Sequence, residues 1–193
     1  ILMTVLLALA PSNMELAESA ILQALQELPE NLSYYGADEI LIEIIGEHSG
    51  NWLIEQTISS ILHENGITVF ERDVNPDSSC MILRVRPMEL LVEYGDVSRP
   101  WIIGSKRVER IAKCELSSTL LDTDASIIMT IRTSGIEEDK ILWSDAEVLD
   151  GSEEWEWLSG DLPENRGGGI LEPIIVSGVV ASLVYLFYSS RAE

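Results

Sequence analysis

The sequence predicts an α+β fold, a βαβ unit followed by antiparallel strands, with a single transmembrane helix at the C-terminal end. Three observations carry that prediction. Glu39 to Glu71 reads strand, helix, strand with tight connections, the signature of a βαβ unit. From Ser79 to Val148 the pattern changes to strand-like segments, several of them in two-residue alternation, which places antiparallel strands with one face on a core. Ile170 to Tyr188, ILEPIIVSGVVASLVYLFY, carries no charge from Ile174 onward and has no polar face, as a lipid-crossing helix requires.

The elements follow in chain order. ILMTVLLALA has the length of a signal-peptide apolar core, and Ala8-Leu9-Ala10 resembles a cleavage site, so residues 1–12 read as a truncated signal peptide. Met14 to Leu28 places Leu16, Ala20, Ala24 and Leu28 on one stripe of a helix capped by Asn13 and ended by Pro29. Asn31 to Asp38 reads as a loop, and Glu39 to Gly46 as a central strand. Asn51 to Asn65 puts Ile54, Ile58, Ile61 and Leu62 on one helical face, with Asn51 as cap and Gly66 as the left-handed residue past the end. Ile67 to Glu71 returns as a strand expected to pair parallel with the first. After the Asn75-Pro76-Asp77 turn, Ser79–Arg86 and Met88–Tyr94 are strands separated by a kink at Pro87.

Lys106 to Leu121 alternates longest, with Val108, Ala112, Cys114, Leu116 and Leu120 facing one way and Arg107, Glu109, Lys113, Glu115 and Thr119 the other. Asp122-Thr123-Asp124 turns it back into Ile127–Thr133, where Ile127, Met129 and Ile131 align, and Lys140–Val148 forms the last strand. The α+β domain therefore spans residues 13–150. Residues 151–169 form an acidic linker ending in three glycines, residues 170–188 the membrane helix, and residues 189–193 a short tail. Ser177, Gly178, Ala181 and Ser182 form a strip of small side chains on that helix, suited to close packing against a second copy or another subunit. Trp155 and Trp157, among the linker carboxylates, read either as a contact with the domain or as a partner-recognition patch.

Charge excludes whole classes of partner. Twelve Lys and Arg stand against 33 Asp and Glu, a formal net charge of −21, so the basic footprint of a nucleic-acid binder is missing. The chemistry of a catalytic site is equally hard to find. His63-Glu64 lacks the second His of a zinc-protease helix, and His48 has no Cys or Asp at ligand spacing, so neither a metal nor a cofactor is expected. The His48-Ser49-Gly50 loop follows a strand, where sites of α/β folds concentrate, yet no nucleophile elbow accompanies it. Cys80 and Cys114 are too few for a disulfide framework and are expected as buried free thiols.

Asn51 to Asp73, NWLIEQTISSILHENGITVFERD, resembles a unit of small bacterial envelope domains: the amino-terminal domain of TolB and the curli-secretion and flagellar outer-membrane accessory proteins. The later strands are similar to the lipopolysaccharide-assembly lipoproteins. The resemblance implies a structural or assembly role and brings no catalytic residue; the chain departs from those families in lacking a lipobox Cys. The function expected is a membrane-anchored, non-enzymatic binding or assembly component of a bacterial envelope complex. Its domain is expected in the periplasm and its helix in the inner membrane, with a protein partner or self-association through that helix. The alternatives are a tail-anchored protein with a cytosolic interaction domain, and a small-ligand sensor or enzyme using the His48 loop.

Overall fold

The structure, a computed structural model, describes residues 10–70, 80–99, 104–152 and 155–163. The membrane helix expected at 170–188, with its strip Ser177, Gly178, Ala181 and Ser182, and residues 1–9 of the expected signal peptide lie outside the described residues. Among the described residues no helix is long and apolar enough to cross a membrane.

Ser12 opens the first helix, α1 (Asn13–Leu25), through a capping box. The Glu15 amide donates to Ser12 Oγ (3.2 Å) and the Ser12 amide donates to Glu15 Oε2 (2.7 Å). Asn13, expected as the cap, is instead the first helical residue, and its side chain is fully buried. The Ser12 hydrogen bonds hold the Glu15 carboxyl below its ordinary range, so this contribution is fully present above the ordinary carboxylate value and is lost as pH falls through the lowered one. Ser12→Ala is expected to lower unfolding stability by about 1 kcal/mol at pH 7. The gap between variant and parent should narrow in acid denaturation series.

Pro29 starts a helix rather than ending one. α2 (Leu28–Tyr34) carries it in the first turn, where its missing N–H forfeits no bond, so the expected loop at 31–38 shrinks to the residues before the first strand. That strand, β1 (Glu39–Ile44), leads through α3 (Asn51–Glu64) to β2 (Thr68–Phe70). β1 pairs parallel with β2, which completes the expected βαβ unit. Gly50, not Asn51, occupies the cap position of α3; Asn51 turns back and donates from Nδ2 to the Gly46 carbonyl (2.8 Å). Gly66, at φ +78°, supplies the left-handed exit.

The two strands expected on either side of Pro87 are one, β3 (Met81–Ser98), with a register shift between Pro87 and Glu89 that leaves Met88 as an exposed bulge. Pro87 lies past Val85, the last β3 residue that β1 covers, so its missing N–H costs the sheet nothing. β4 (Arg107–Leu121) and β5 (Ile127–Leu142) complete an antiparallel meander, and the five strands run in the order β2-β1-β3-β4-β5. β5 absorbs the separate strands expected at 127–133 and 140–148, and its continuation beyond Leu142 is helical, α4 (Trp143–Ser152). A register shift between Leu120 and Leu121 turns Ile127 off the face of Met129 and Ile131, leaving it largely exposed.

α1 and α3 pack on one face of the sheet. Ile21 and Leu25 meet Ile54, Ile58 and Leu62 over Ile40, Leu83, Leu116 and Leu120 in a single core. The other face carries ion pairs between neighbouring strands: Glu43–Arg84, Glu93–Lys113, Glu109–Lys140 and Glu115–Arg132. Exposed pairs of this kind contribute little each but keep an open sheet face soluble. The β5 edge is blunted where Gln23 Oε1, reaching down from α1, accepts from the Ile136 amide (2.6 Å). Both cysteines are buried and free. Cys80 precedes β3 while Cys114 lies opposite Leu90, so about 30 Å of strand separates them, far beyond bridging distance. Burial pushes the Cys114 thiol up to about 12.

Candidate functional site

The surface that gathers the unassigned aromatic residues is the N-terminal end of α3. Gly46, at φ +110°, ends β1 and starts the loop that carries His48. His48 Nδ1 accepts from the Gly50 amide (3.0 Å), which occupies the ring in closing the turn into α3. Its ring meets Trp157 edge-on, centroids 5.7 Å apart. Gly50 is where these groups converge. A Cβ there would come within 2.8 Å of Leu90 Cδ2, 3.0 Å of Trp157 Cζ2 and 3.1 Å of His48 Nδ1, so the close approach requires glycine. Two residues on, Trp52 lies tilted beside Trp155, centroids 6.5 Å apart, and is 42% exposed.

Trp157 is only 8% exposed and belongs to the main core; Trp155 is half-buried against it. Residues 155–163, which composition assigns to the linker, therefore pack on the domain: the Val92 amide donates to the Trp157 carbonyl (2.9 Å). The exposed indole of the group is Trp52, which the amphipathic pattern of α3 had left unremarked. Trp52 also lines a groove of about 420 Å³ between α3 and the β1–β2 edge, with Glu55, Gln56, Ser59, Ile42, Val69 and Phe70.

Arg110 is the residue that pattern reading missed. It is fully buried on the inward face of β4, between Val108 and Ala112. Nε and Nη2 donate to the two Asp139 carboxylate oxygens (2.9 and 2.5 Å). Nη1 donates to Asn13 Oδ1 (2.7 Å), and Nη2 also donates to the Pro11 carbonyl (2.9 Å). Asn13 Nδ2 extends the network to Tyr94 Oη (3.1 Å) and to the Leu158 carbonyl (2.8 Å). One guanidinium thus ties the chain entering α1, strands β4 and β5 and, through Asn13, β3 and the segment that follows α4. The available signal was parity: a cation at an inward position of an alternating strand demands buried partners.

No protein-family model matches the chain, and no curated protein matches it. Among solved structures, it is similar to a minor lipoprotein from Acinetobacter baumannii, at a TM-score of 0.39 and 12% identity, over 58% of this chain and 77% of that one. It is also similar to a neuraminyllactose-binding hemagglutinin homolog from Helicobacter pylori, at a TM-score of 0.34 and 14% identity, over 55% and 66% of the two chains. At that level of similarity neither neighbour assigns a fold or a function to this chain.

The exposed chemistry of this surface is aromatic. Among the described residues no three His, Cys, Asp or Glu side chains are placed to hold a metal ion. His48 is occupied on Nδ1 by a backbone amide and has an indole, not a carboxylate, against its ring. The exposed Trp52, backed by half-buried Trp155, is the kind of anchored aromatic that gives protein contacts their affinity.

Proposed function

We propose that this protein is a non-enzymatic binding or assembly component of a bacterial envelope complex. The 170–188 helix anchors it in the inner membrane, and the α+β domain stands in the periplasm. The observation that carries the binding role is the exposed Trp52 at the rim of the α3 groove, seated on Trp155. An indole held in place by a second one presents a rigid apolar surface at low entropic cost, which suits a protein contact better than a small-molecule pocket. The uncharged run from Ile174 to Tyr188 supports the anchor, and the apolar start of the chain supports export.

A photocrosslinking residue placed at Trp52 in the full chain, in cells, tests the binding role. A discrete adduct is expected there, weakened by Trp155→Ala and missing from a control at exposed Ile127. Equal labelling at both positions would remove the basis for a partner site at the groove.

A further inference from the structure

β5 ends the sheet, so one of its sides pairs with no strand among the described residues. Successive amides of an antiparallel strand point to opposite sides. The Ile136 amide donates to Gln23 Oε1 (2.6 Å) and so faces the open side. At two-residue spacing the amides of Glu138 and Lys140 face the same way, and among the described residues neither has a partner there.

The side chains of this stretch stand in solvent as well. Ile136 is 51% and Leu142 38% exposed, and Glu138 and Lys140 between them are exposed too. Lys140 reaches Glu109 (3.2 Å) but keeps 57% of its side chain exposed, and Glu138 forms no ion pair among the described residues. From 136 to 142 every second residue gives Ile, Glu, Lys, Leu. An antiparallel copy of that pattern, turned about Asp139, sets Glu138 against Lys140 and Ile136 against Leu142, each twice. Sliding the copy by two residues would set Glu138 or Lys140 against itself, so charge favours one register. The net charge of −21 opposes self-association in general, so a contact between copies needs such local complementarity. Asp139 meets its own copy at the axis with its carboxylate already held by Arg110.

We propose that the β5 edge from Ile136 to Leu142 is a contact between two copies of this chain, paired antiparallel about Asp139 so that their sheets become one. Backbone bonds exchanged between Glu138 of one copy and Lys140 of the other form the ladder. The two ion pairs and the two Ile136–Leu142 pairs fix its register, and Gln23 marks where it ends. The pairing uses neither the Trp52 site nor the 170–188 helix, so it goes beyond the binding role above.

Sedimentation of the full chain in detergent should show a dimer. Glu138→Lys and Lys140→Glu should each weaken it at least tenfold, since each sets like charges opposite one another. An equimolar mixture of the two variants should regain the parent's affinity, because every cation in the mixed pair again meets a carboxylate. That recovery separates the pairing from misfolding of either variant. Ile136→Cys combined with Leu142→Cys in one chain should give a covalent dimer on mild oxidation, the opposed Cα atoms lying about 5.5 Å apart. Ile136→Cys alone should not, because its two copies would lie about 20 Å apart along the strands. A monomeric parent would overturn the pairing and leave the edge to a strand of another protein. A dimer that both charge variants keep would overturn it too, and would place the contact elsewhere in the chain.

Discussion

Arg110→Met is expected to destabilise the folded unit by about 3 kcal/mol, measured as a lowered denaturation midpoint with an unchanged slope. Removing one member of a buried ion pair leaves the other without compensation, which typically costs roughly 3–5 kcal/mol. The lower figure is chosen because Asp139 remains 24% exposed and recovers part of its hydration. Asn13 Oδ1 and the Pro11 carbonyl also lose their donor in the variant. Pairing the change with Asp139→Leu should recover much of the loss, because two apolar side chains leave no orphaned charge. A cost below about 1 kcal/mol for Arg110→Met alone would mean that the network does not hold the domain together.

Gly135→Ala should give the second large effect, and its sign is the informative part. Glycine inside a strand normally costs roughly 0.5–1 kcal/mol relative to alanine, so the substitution would ordinarily stabilise. Here the new Cβ would lie 2.0 Å from the Ala20 carbonyl oxygen and 2.7 Å from the Ala24 amide nitrogen. Both are backbone atoms of α1, so the helix as a whole must lift away from β5. A loss on the order of 3 kcal/mol is expected, at the upper end of overpacking costs, since no flexible side chain can give way. Gly95→Ala is the control. Its nearest neighbours are Glu109 side-chain atoms at 3.5–3.7 Å, ordinary contact, and its effect should be close to zero or stabilising.

These two residues mark where the sequence could and could not be read. The inward faces of β4 and α3 were legible because they rest on local periodicity: Ala112, Cys114, Leu116 and Leu120, and Ile54, Ile58 and Leu62, are all buried. The two strands expected at 127–133 and 140–148 leave out Gly135, whose reason lies outside the strand, in the path of α1 across it. Pro29 and Pro87 look alike in sequence, yet one opens a helix and the other sits past the reach of β1. What separates them is which backbone bonds are needed nearby. Within Lys140–Val148, expected as strand, Ser144-Asp145-Ala146-Glu147 suits a helix start, and the chain turns helical from Trp143. The aromatic site was half legible. Trp155 and Trp157 stood out against their acidic surroundings, but the exposed partner, Trp52, was hidden in a regular helical pattern. Asn13 and Arg110 meet across 97 residues, a pairing that no local pattern encodes.

The claim on which the functional account depends is that the α+β domain is held outside the cytoplasm by the 170–188 helix. Protease added to intact spheroplasts measures it most directly. The account predicts that the domain is digested while a membrane-protected fragment containing residues 170–193 survives. Resistance of the domain until the membrane is permeabilised would contradict it and would place the domain in the cytosol.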